Sequence, residues 1–361
     1  MQTMYRKSAA TTATEPTSRL NTGSPSPSAK SPKVPITASL KARKPPGLLQ
    51  YLPEAWVPYG ELARIHRPTG VQLFYFPHLF GSLYAMAIQS PADRDVTNLV
   101  YKNLIFLGGC IFFRPAVCSW NDTIDRDFDA QVARCATRPI PRGAVSVNQA
   151  HALTAATTIG ALAFLYALPP ACWIVSVPDI FLLGLYPFAK RFTDYPQAIL
   201  GFQIALGFFM GLAAFEPDFI GRLTALTADP AADKTTWAMG AFYLACACWT
   251  MVYDTVYAQQ DVKDDAKAGV RSMAVHFRGH ERKLLWSLVL TMVASLAACG
   301  LWQDFGMAYF ACTCGGVLAS LSYMLLTINF DNGDECGWWF EQGYRFVASS
   351  LTLGLGLECL L

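Results

Sequence analysis

Long apolar segments recur along most of this chain, and each is long enough to cross a lipid bilayer. A helix rises about 1.5 Å per residue, so roughly 20 apolar residues cover the ~30 Å hydrocarbon core. Inside lipid every backbone polar group must be satisfied within the protein, which favours helices. The sequence therefore predicts an all-α, polytopic membrane protein. The nine predicted spans cover residues 71–90, 100–119, 150–168, 171–189, 196–215, 237–256, 284–303, 307–327 and 343–361.

The composition excludes two other classes of protein. Only 15% of the residues are charged and 53% are hydrophobic, whereas soluble domains carry about 25% charged residues, so a soluble two-domain enzyme is excluded. The net charge is +2, and no stripe of Lys and Arg interleaved with aromatics follows the N-terminal segment. Nucleic acid is therefore not an expected partner. The eleven cysteines lie mostly in apolar segments, which predicts buried free thiols rather than a disulfide framework.

The N-terminal segment differs from the rest of the chain. Residues 1–50 are rich in Lys, Arg, Ser, Thr and Pro, and Glu15 is their one acid. Such a segment cannot bury a core, so we expect a disordered tail followed by a transmembrane domain over 51–361. A basic, hydroxyl-rich segment is also typical of a mitochondrial transit peptide, although its prolines would interrupt an amphipathic helix. The sequence leaves a cytosolic tail and a transit peptide open.

The basic residues of the loops are unevenly distributed. With nine spans, the segment before the first span and the loops after the second, fourth, sixth and eighth spans lie on one side. These segments carry most of the loop Lys and Arg residues. Positively charged loops usually stay on the cytosolic side. We therefore predict that this side faces the cytosol, or the matrix if the protein is mitochondrial.

An acidic cluster directly follows the second predicted span, on the basic side. If the helix continues outward, Asn121, Asp122, Asp125 and Asp129 lie near one face, because offsets of three and seven residues return to that face. Asp127 points away from it. Like charges at helical spacing repel each other, so the cluster requires a compensating cation.

A second acidic cluster directly follows the sixth predicted span, on the same side. Asp254, Asp261 and Asp265 are separated by seven and four residues and again lie near one helix face. Carboxylates with no His or Cys at ligand spacing favour Mg²⁺ or Mn²⁺ over zinc. Two such faces that met across a cavity would hold a diphosphate between them. The alternative is that both clusters are solvated charge runs. The cations near the clusters that could neutralise a diphosphate are Arg126, Arg138, Arg142, Lys190, Arg191 and Lys263.

The two clusters resemble the aspartate-rich motifs of a known family. The pattern NDxxDxxxD at 121–129, followed far downstream by YDTxYAxxDxxDD at 253–265, is similar to the paired motifs of the UbiA superfamily of intramembrane prenyltransferases. The similarity extends over about residues 55–361. Shorter matching stretches lie at 64–70, 138–143, 186–197 and 269–272.

The resemblance implies a fold, a reaction and a set of site residues. The fold would be an all-α bundle of nine spans around a central cavity, capped by the two acidic loops. Members use Mg²⁺ to transfer a prenyl group from an isoprenoid diphosphate to an aromatic acceptor. The metal ligands would be Asn121, Asp122, Asp125, Asp129, Asp254, Asp261 and Asp265, of which Asp122, Asp125, Asp254 and Asp261 would be catalytic. The diphosphate would contact Arg126, Arg138, Lys190, Arg191 and Lys263, with Arg67 and Tyr257 as further candidate substrate contacts.

Two subgroups of the family differ in acceptor and location. Enzymes of ubiquinone biosynthesis prenylate 4-hydroxybenzoate in mitochondria and usually have Asp where this chain has His66. The stretch FYFPHLFG at 74–81 is more similar to fungal meroterpenoid-pathway enzymes, which prenylate polyketide-derived phenols. The sequence thus favours transfer of farnesyl or a similar chain to such a phenol. The transit-like N-terminus favours the mitochondrial alternative.

Two rival classes fit the sequence less well. A soluble isoprenyl diphosphate synthase would also use aspartate-rich motifs and Mg²⁺, but the nine spans exclude it. A transporter would bury charges at the middle of the membrane, whereas only Arg114 and Asp179 lie well inside a predicted span. Membrane lipid is an expected partner, and nothing in the sequence indicates a protein partner.

Overall fold

The computed structural model describes residues 47–216, 218–225 and 234–360. Most of the predicted N-terminal tail lies outside these residues. The described part is helical and contains no strand. In chain order its helices are α1 (Val57–Leu62), α2 (Thr69–Ile88), α3 (Val96–Ile124), α4 (Arg126–Asp129), α5 (Val147–Tyr166), α6 (Pro170–Phe192), α7 (Pro196–Ala213), α8 (Phe219–Ala225), α9 (Lys234–Ala258), α10 (Val262–Ala268), α11 (Met273–His276), α12 (Glu281–Trp302), α13 (Met307–Tyr309), α14 (Gly316–Thr327), α15 (Gly333–Trp338) and α16 (Tyr344–Leu360).

The described residues also contain short π-helical and 3-10 helical turns. A π-helical turn, Phe310–Gly315, joins α13 to α14, and a second, Trp339–Gly343, joins α15 to α16. Turns of 3-10 helix occupy Gly47–Tyr51, Glu54–Trp56 and Pro91–Asp93. In a π-helical turn one extra residue is inserted into the helix, which changes the direction of the side chains around it, and such turns are frequent at functional sites.

The prediction of an all-α, multi-pass membrane protein is confirmed. Among the described residues, six helices are long and apolar enough to cross a membrane: α2, α3, α6, α7, α12 and the continuous helix Met307–Thr327. The other three predicted spans coincide with α5, α9 and α16, which are helical but fall outside that set. The count of nine spans therefore stays a prediction.

Local sequence signals set several helix boundaries. Asp95 accepts a hydrogen bond from the backbone N–H of Asn98 and thereby caps α3. Ser146 and Gln149 form a reciprocal capping box at the start of α5. Gly269 has φ 76° and ends α10, because glycine adopts the left-handed conformation without a steric penalty. Of these signals, Gly269 ends α10 one helical turn after Asp265 of the second acidic cluster.

The centre of the bundle is formed by α2, α7 and α9. The aromatic side chains of Phe80, Phe208 and Phe242 are fully buried there, and the rings of Phe208 and Phe242 stack with centroids 4.8 Å apart. A Cβ atom at Gly81 would clash with the Phe208 carbonyl of α7. Small residues therefore allow α2 and α7 to approach closely, as is common between helices in membranes.

The outer helices present apolar side chains at the surface. Ile111 and Phe112 of α3, Ile159 of α5 and Ile174 and Phe181 of α6 are exposed. A contiguous exposed apolar surface indicates a membrane or protein contact, and on helices of this length it matches a lipid-facing surface. Acidic and basic side chains gather at one end of the bundle, where α3, α6 and α9 end and α2 begins.

Candidate active site

One cavity of about 230 Å³ opens at that polar end of the bundle. Its wall comes from the C-terminal ends of α3, α6 and α9, the N-terminal end of α2, and the loops that follow. The two acidic clusters, separated by more than a hundred residues in sequence, meet across it. The structure brings to this wall every residue predicted to bind metal, namely Asn121, Asp122, Asp125, Asp129, Asp254, Asp261 and Asp265.

Two arginines hold the first cluster in place. Asp122, on the last turn of α3, is 1% exposed. Arg64 donates to both of its carboxylate oxygens at 2.7 and 3.0 Å, and Arg138 donates to Oδ1 at 3.1 Å. Arg138 also donates to Oδ2 of Asp129 at 2.7 Å. Nevertheless, burial raises the pKa of Asp129 to about 6, with Arg138 opposing the rise.

Asp125 lies between the helix end of α3 and the basic end of α6. It is 1% exposed, and Nζ of Lys190 donates to its Oδ2 at 2.5 Å. Nη1 of Arg191 is 3.5 Å from Oδ1, which forms no hydrogen bond. Oδ1 of Asn121, one helical turn earlier, is likewise buried without a hydrogen-bond partner. Two oxygen acceptors on the cavity wall are thus left without a donor.

The second cluster is tied to the loop that follows the first. Arg134, between α4 and α5, donates from Nε to Oδ1 of Asp261 at 2.9 Å, and its Nη2 donates to Oδ2. Its Nη1 also donates to the hydroxyl of Tyr257 at 2.9 Å. The guanidinium lies 5.0 Å from the centre of the Tyr257 ring. One arginine therefore fixes two side chains of the second motif against the loop of the first.

Asp254 and Asp265 also line the cavity, and neither forms an ion pair with any described residue. Burial raises the pKa of Asp265 to about 7, and the neighbouring charge of Asp261 adds to the rise. A half-buried carboxylate without a cationic partner loses part of its hydration without compensation, so these two side chains are available to an added cation.

The donor set fits a hard divalent ion. All seven side chains offer oxygen, which Mg²⁺ prefers, and Asn121 and Asp125, which line the cavity, each have one oxygen without a hydrogen bond. Among the described residues no group of three acidic, His or Cys side chains is close enough to form a ready-made cage. Mg²⁺ usually binds through one or two carboxylates, completed by water and substrate phosphate oxygens. The geometry is therefore compatible with an ion that arrives together with an anionic substrate.

The predicted diphosphate contacts divide into two groups. Arg138 and Lys190 line the cavity. Arg191 lies beside it, where it approaches Asp125 and donates to the Ile124 carbonyl at 2.7 Å. The structure places the remaining two, Arg126 and Lys263, outside the cavity.

The reason for this placement is local. Arg126 is exposed and pairs with its neighbour Asp127 at 3.5 Å. Lys263 lies two residues after Asp261, on the far side of α10, and pairs with Asp331 at 3.7 Å. Residues two apart on a helix do not share a face, so a position inside an aspartate motif does not by itself place a side chain in the site.

The structure adds cavity residues that were not predicted to bind metal or substrate. Arg64 has φ 57°, a left-handed conformation that is uncommon outside glycine, and it directs its guanidinium to Asp122. Arg134 lies in a loop and Glu341 in a π-helical turn, and no local sequence pattern indicates that either side chain enters the cavity. The guanidinium of Arg114 also lines the cavity, and its Nε is buried without a hydrogen bond. Both Arg67 and Tyr257, the predicted substrate contacts, line the cavity as well.

Away from the acidic end the cavity is apolar. Leu73 and Phe74 of α2, Val117 of α3, and Leu200 and Ile204 of α7 line this part. The site therefore combines a charged end with an apolar interior, which suits a ligand that has an anionic head and a hydrocarbon tail.

Comparisons with known proteins agree with this geometry. The model of the UbiA prenyltransferase family matches residues 74–350. The prenyltransferase ascA of Acremonium egyptiacum is 36% identical, over 91% of this chain and 94% of its own. A DMOA farnesyltransferase, nvfB of Aspergillus novofumigatus, is 36% identical, over 78% of this chain and 84% of its own. The mitochondrial 4-hydroxybenzoate polyprenyltransferase of Caenorhabditis elegans is 33% identical, over 84% and 77%.

Solved structures share the fold. A UbiA homologue from Aeropyrum pernix superposes with a TM-score of 0.59 at 19% identity, covering 80% of this chain and 98% of its own. A homologue from Archaeoglobus fulgidus, bound to GPP and Mg²⁺, superposes with a TM-score of 0.59 at 16% identity, covering 84% and 100%. At these identities the likeness establishes the fold alone.

Proposed function

Because the chain belongs to the UbiA prenyltransferase family, we propose that it transfers a prenyl group, farnesyl or one of similar length, from its diphosphate to a phenolic, polyketide-derived acceptor, with Mg²⁺ as cofactor. The observation that carries the proposal is that two acidic clusters and several half-buried cations adjoin an apolar interior in the same cavity. An amphipathic substrate with an anionic head matches both parts of that cavity.

The cavity cations bind the diphosphate. Arg138 and Lys190 line the wall, and Arg64 lies next to Arg138 on Asp122. Each of these three is held by a carboxylate, so its position is set before substrate arrives. Charge-assisted hydrogen bonds from preorganised Arg and Lys are strong in a site shielded from water. They stabilise the negative charge that grows on the diphosphate as it leaves.

The carboxylates hold the metal that accompanies the diphosphate. When bound, Mg²⁺ supplies positive charge that stabilises the departing diphosphate oxygens. Asp125 and Asn121 would contribute oxygens that form no hydrogen bond in the first cluster, and Asp254 and Asp265 would contribute carboxylate oxygens from the second. Asp122, Asp129 and Asp261 complete the acidic wall and keep Arg64, Arg138 and Arg134 oriented.

The reaction then follows from charge and shape. The allylic C–O bond breaks, its electron pair passes to the diphosphate, and an allylic cation remains. Tyr253, Tyr257 and Phe340 form an aromatic wall beside Asp254, and aromatic faces attract cations. An electron-rich ring carbon of the acceptor then attacks the cation, and the ring loses a proton. The apolar interior excludes water, which would otherwise intercept the cation.

The identity of the acceptor distinguishes two candidate functions. The fungal relatives at 36% identity, among them a farnesyltransferase, support a farnesyl donor and a polyketide-derived phenol in secondary metabolism. The second candidate is 4-hydroxybenzoate polyprenylation in ubiquinone biosynthesis, which the C. elegans relative at 33% identity favours. In the first case we expect the acidic end of the cavity to face the cytosol, and in the second the mitochondrial matrix.

The test is to identify the product by mass. Membranes from cells that express the protein are supplied with Mg²⁺, with geranyl, farnesyl or geranylgeranyl diphosphate, and with an orsellinate-type phenol or 4-hydroxybenzoate. We expect farnesyl added to the orsellinate-type phenol. A 4-hydroxybenzoate product alone would support the mitochondrial reading. Membranes that prenylate neither acceptor would contradict the proposed function.

A further inference from the structure

Glu341 stands apart from the other acids of the cavity. Among the described residues, every other carboxylate on the cavity wall belongs to one of the two acidic clusters. Glu341 instead lies in the π-helical turn Trp339–Gly343, between α15 and α16. The extra residue of that turn changes the direction of its side chains, and Glu341 lines the cavity as a result.

The backbone around Glu341 is fixed from two sides. The hydroxyl of Thr69, at the start of α2, donates to the Glu341 carbonyl at 3.3 Å. The neighbouring Phe340 packs on Tyr257, with ring centroids 4.2 Å apart, and on Tyr253 at 5.7 Å. These two tyrosines flank Asp254, so the turn is held directly beside the second acidic cluster.

The carboxylate itself is left free to bind. Its Oε1 is 3.9 Å from Nη1 of Arg67, too far for a hydrogen bond. No described residue donates a hydrogen bond to it. Both side chains are accessible, at 46% for Arg67 and 42% for Glu341. The positive charge of Arg67 is therefore nearby but occupies neither carboxylate oxygen of Glu341, so both oxygens can accept a hydrogen bond from a substrate.

We infer that Glu341 binds the phenolic hydroxyl of the acceptor and takes up its proton as the ring carbon attacks. This inference rests on the proposed function, since it assumes a phenolic acceptor. It assigns the acceptor to the wall formed by α2 and the π-helical turn, and the diphosphate to Arg138 and Lys190. The phenol then approaches the allylic carbon of the prenyl diphosphate from one wall of the cavity, while the diphosphate group is held at the other wall.

The proton and electron balance is as follows. The phenol O–H bond breaks and its proton passes to Glu341, while a ring π pair forms the C–C bond to the allylic carbon. The resulting dienone loses the proton of the alkylated ring carbon to solvent and becomes aromatic again, and Glu341 returns its proton to the phenolic oxygen. One proton is released in total, together with the diphosphate.

The test compares Glu341→Gln and Glu341→Asp with the wild-type enzyme. Glu358→Gln is the matched control, because Glu358 lies on the remote end of α16, where it accepts from the Gly306 backbone N–H, and glutamine keeps that contact. For Glu341→Gln we expect kcat for the phenol to fall about 100-fold, the scale of general base catalysis. Its affinity for farnesyl diphosphate with Mg²⁺ should be unchanged. Glu341→Asp should retain an intermediate rate.

The dependence on acceptor acidity separates a proton acceptor from a structural role. A more acidic phenol needs less help from a base, so the ratio of wild-type to Glu341→Gln rates should shrink along a series of increasingly acidic phenols. A ratio that stays constant, or a Glu341→Gln enzyme as fast as the wild type, would overturn the inference. Wild-type enzyme that binds farnesyl diphosphate yet prenylates no phenol would overturn the proposed function, and this inference with it.

Discussion

Arg134 donates hydrogen bonds to both carboxylate oxygens of Asp261, 127 residues further along the chain. The ion pair joins the loop after the first acidic cluster to the start of α10 in the second. Because Arg134 also donates to Tyr257, it fixes the distance between the two clusters across the cavity. A site that depends on both clusters therefore depends on this contact.

Replacement of Arg134 should disconnect the two clusters. Lysine keeps the charge but cannot form two parallel hydrogen bonds to a carboxylate. We expect Arg134→Lys to lower kcat/KM for prenyl transfer by about 100-fold, because small displacements at a site cost rate steeply. The measurement is a kinetic comparison in purified membranes. Arg134→Lys enzyme with full activity would show that the contact does not set the geometry.

Arg126 lies within the first aspartate motif and Arg138 follows it, and the two side chains differ in position. Arg138 bridges Asp122 and Asp129 on the cavity wall, whereas Arg126 is exposed and contacts Asp127. We expect Arg138→Gln to lower kcat about 100-fold or more, because removal of one preorganised group that stabilises transition-state charge typically has an effect of this size in enzymes. Arg126→Gln should stay within a few-fold of the wild type. Equal losses in the two variants would contradict the placement of the diphosphate.

Removal of divalent ions should abolish prenyl transfer. The carboxylates of the two acidic clusters offer oxygen ligands to the cavity, which suit Mg²⁺ or Mn²⁺ rather than zinc. Treatment with a chelator followed by dialysis should eliminate the activity, and Mg²⁺ or Mn²⁺ should restore it, whereas Zn²⁺ should not. The assay is product formation against added metal concentration. Undiminished turnover in excess chelator would exclude the metal.

The sequence predicted those parts of the site that depend on periodicity. Asp122 and Asp125 share a helix face with Asn121, and the spacing alone placed them together. The lengths of the apolar segments predicted the helices in the same way. Both signals are local, because they depend only on residues within a few turns of one another.

The missing parts depend on contacts between distant segments. Lys263 was expected in the cavity, but it lies on the opposite side of α10 from Asp261 and meets Asp331 instead. Arg64, which contacts Asp122, has φ 57°, and a left-handed conformation at a residue other than glycine cannot be recognised from the sequence. Glu341 enters the cavity through a π-helical turn, and such insertions leave no clear periodic trace in the sequence.

The apolar interior should limit the length of the prenyl chain. Leu200 of α7 lines this part of the cavity, so Leu200→Trp should reduce its volume. We expect the preference to shift from farnesyl toward geranyl diphosphate, measured as the ratio of the two kcat/KM values. Ile159→Trp is the control, because Ile159 is 68% exposed on α5. An unchanged preference in Leu200→Trp would show that the chain binds elsewhere.

The most direct measurement is a double-mutant cycle across the cavity. The cycle removes one carboxylate from each cluster, with the variants Asp125→Asn and Asp254→Asn. The matched controls are Asp127→Asn and Asp264→Asn, which lie in the same two motifs but outside the cavity wall. If the clusters act as one unit, each single variant should lose about 1,000-fold in kcat and the double variant little more. Losses that multiply in the double variant, or a single variant with nearly full activity, would contradict a shared site.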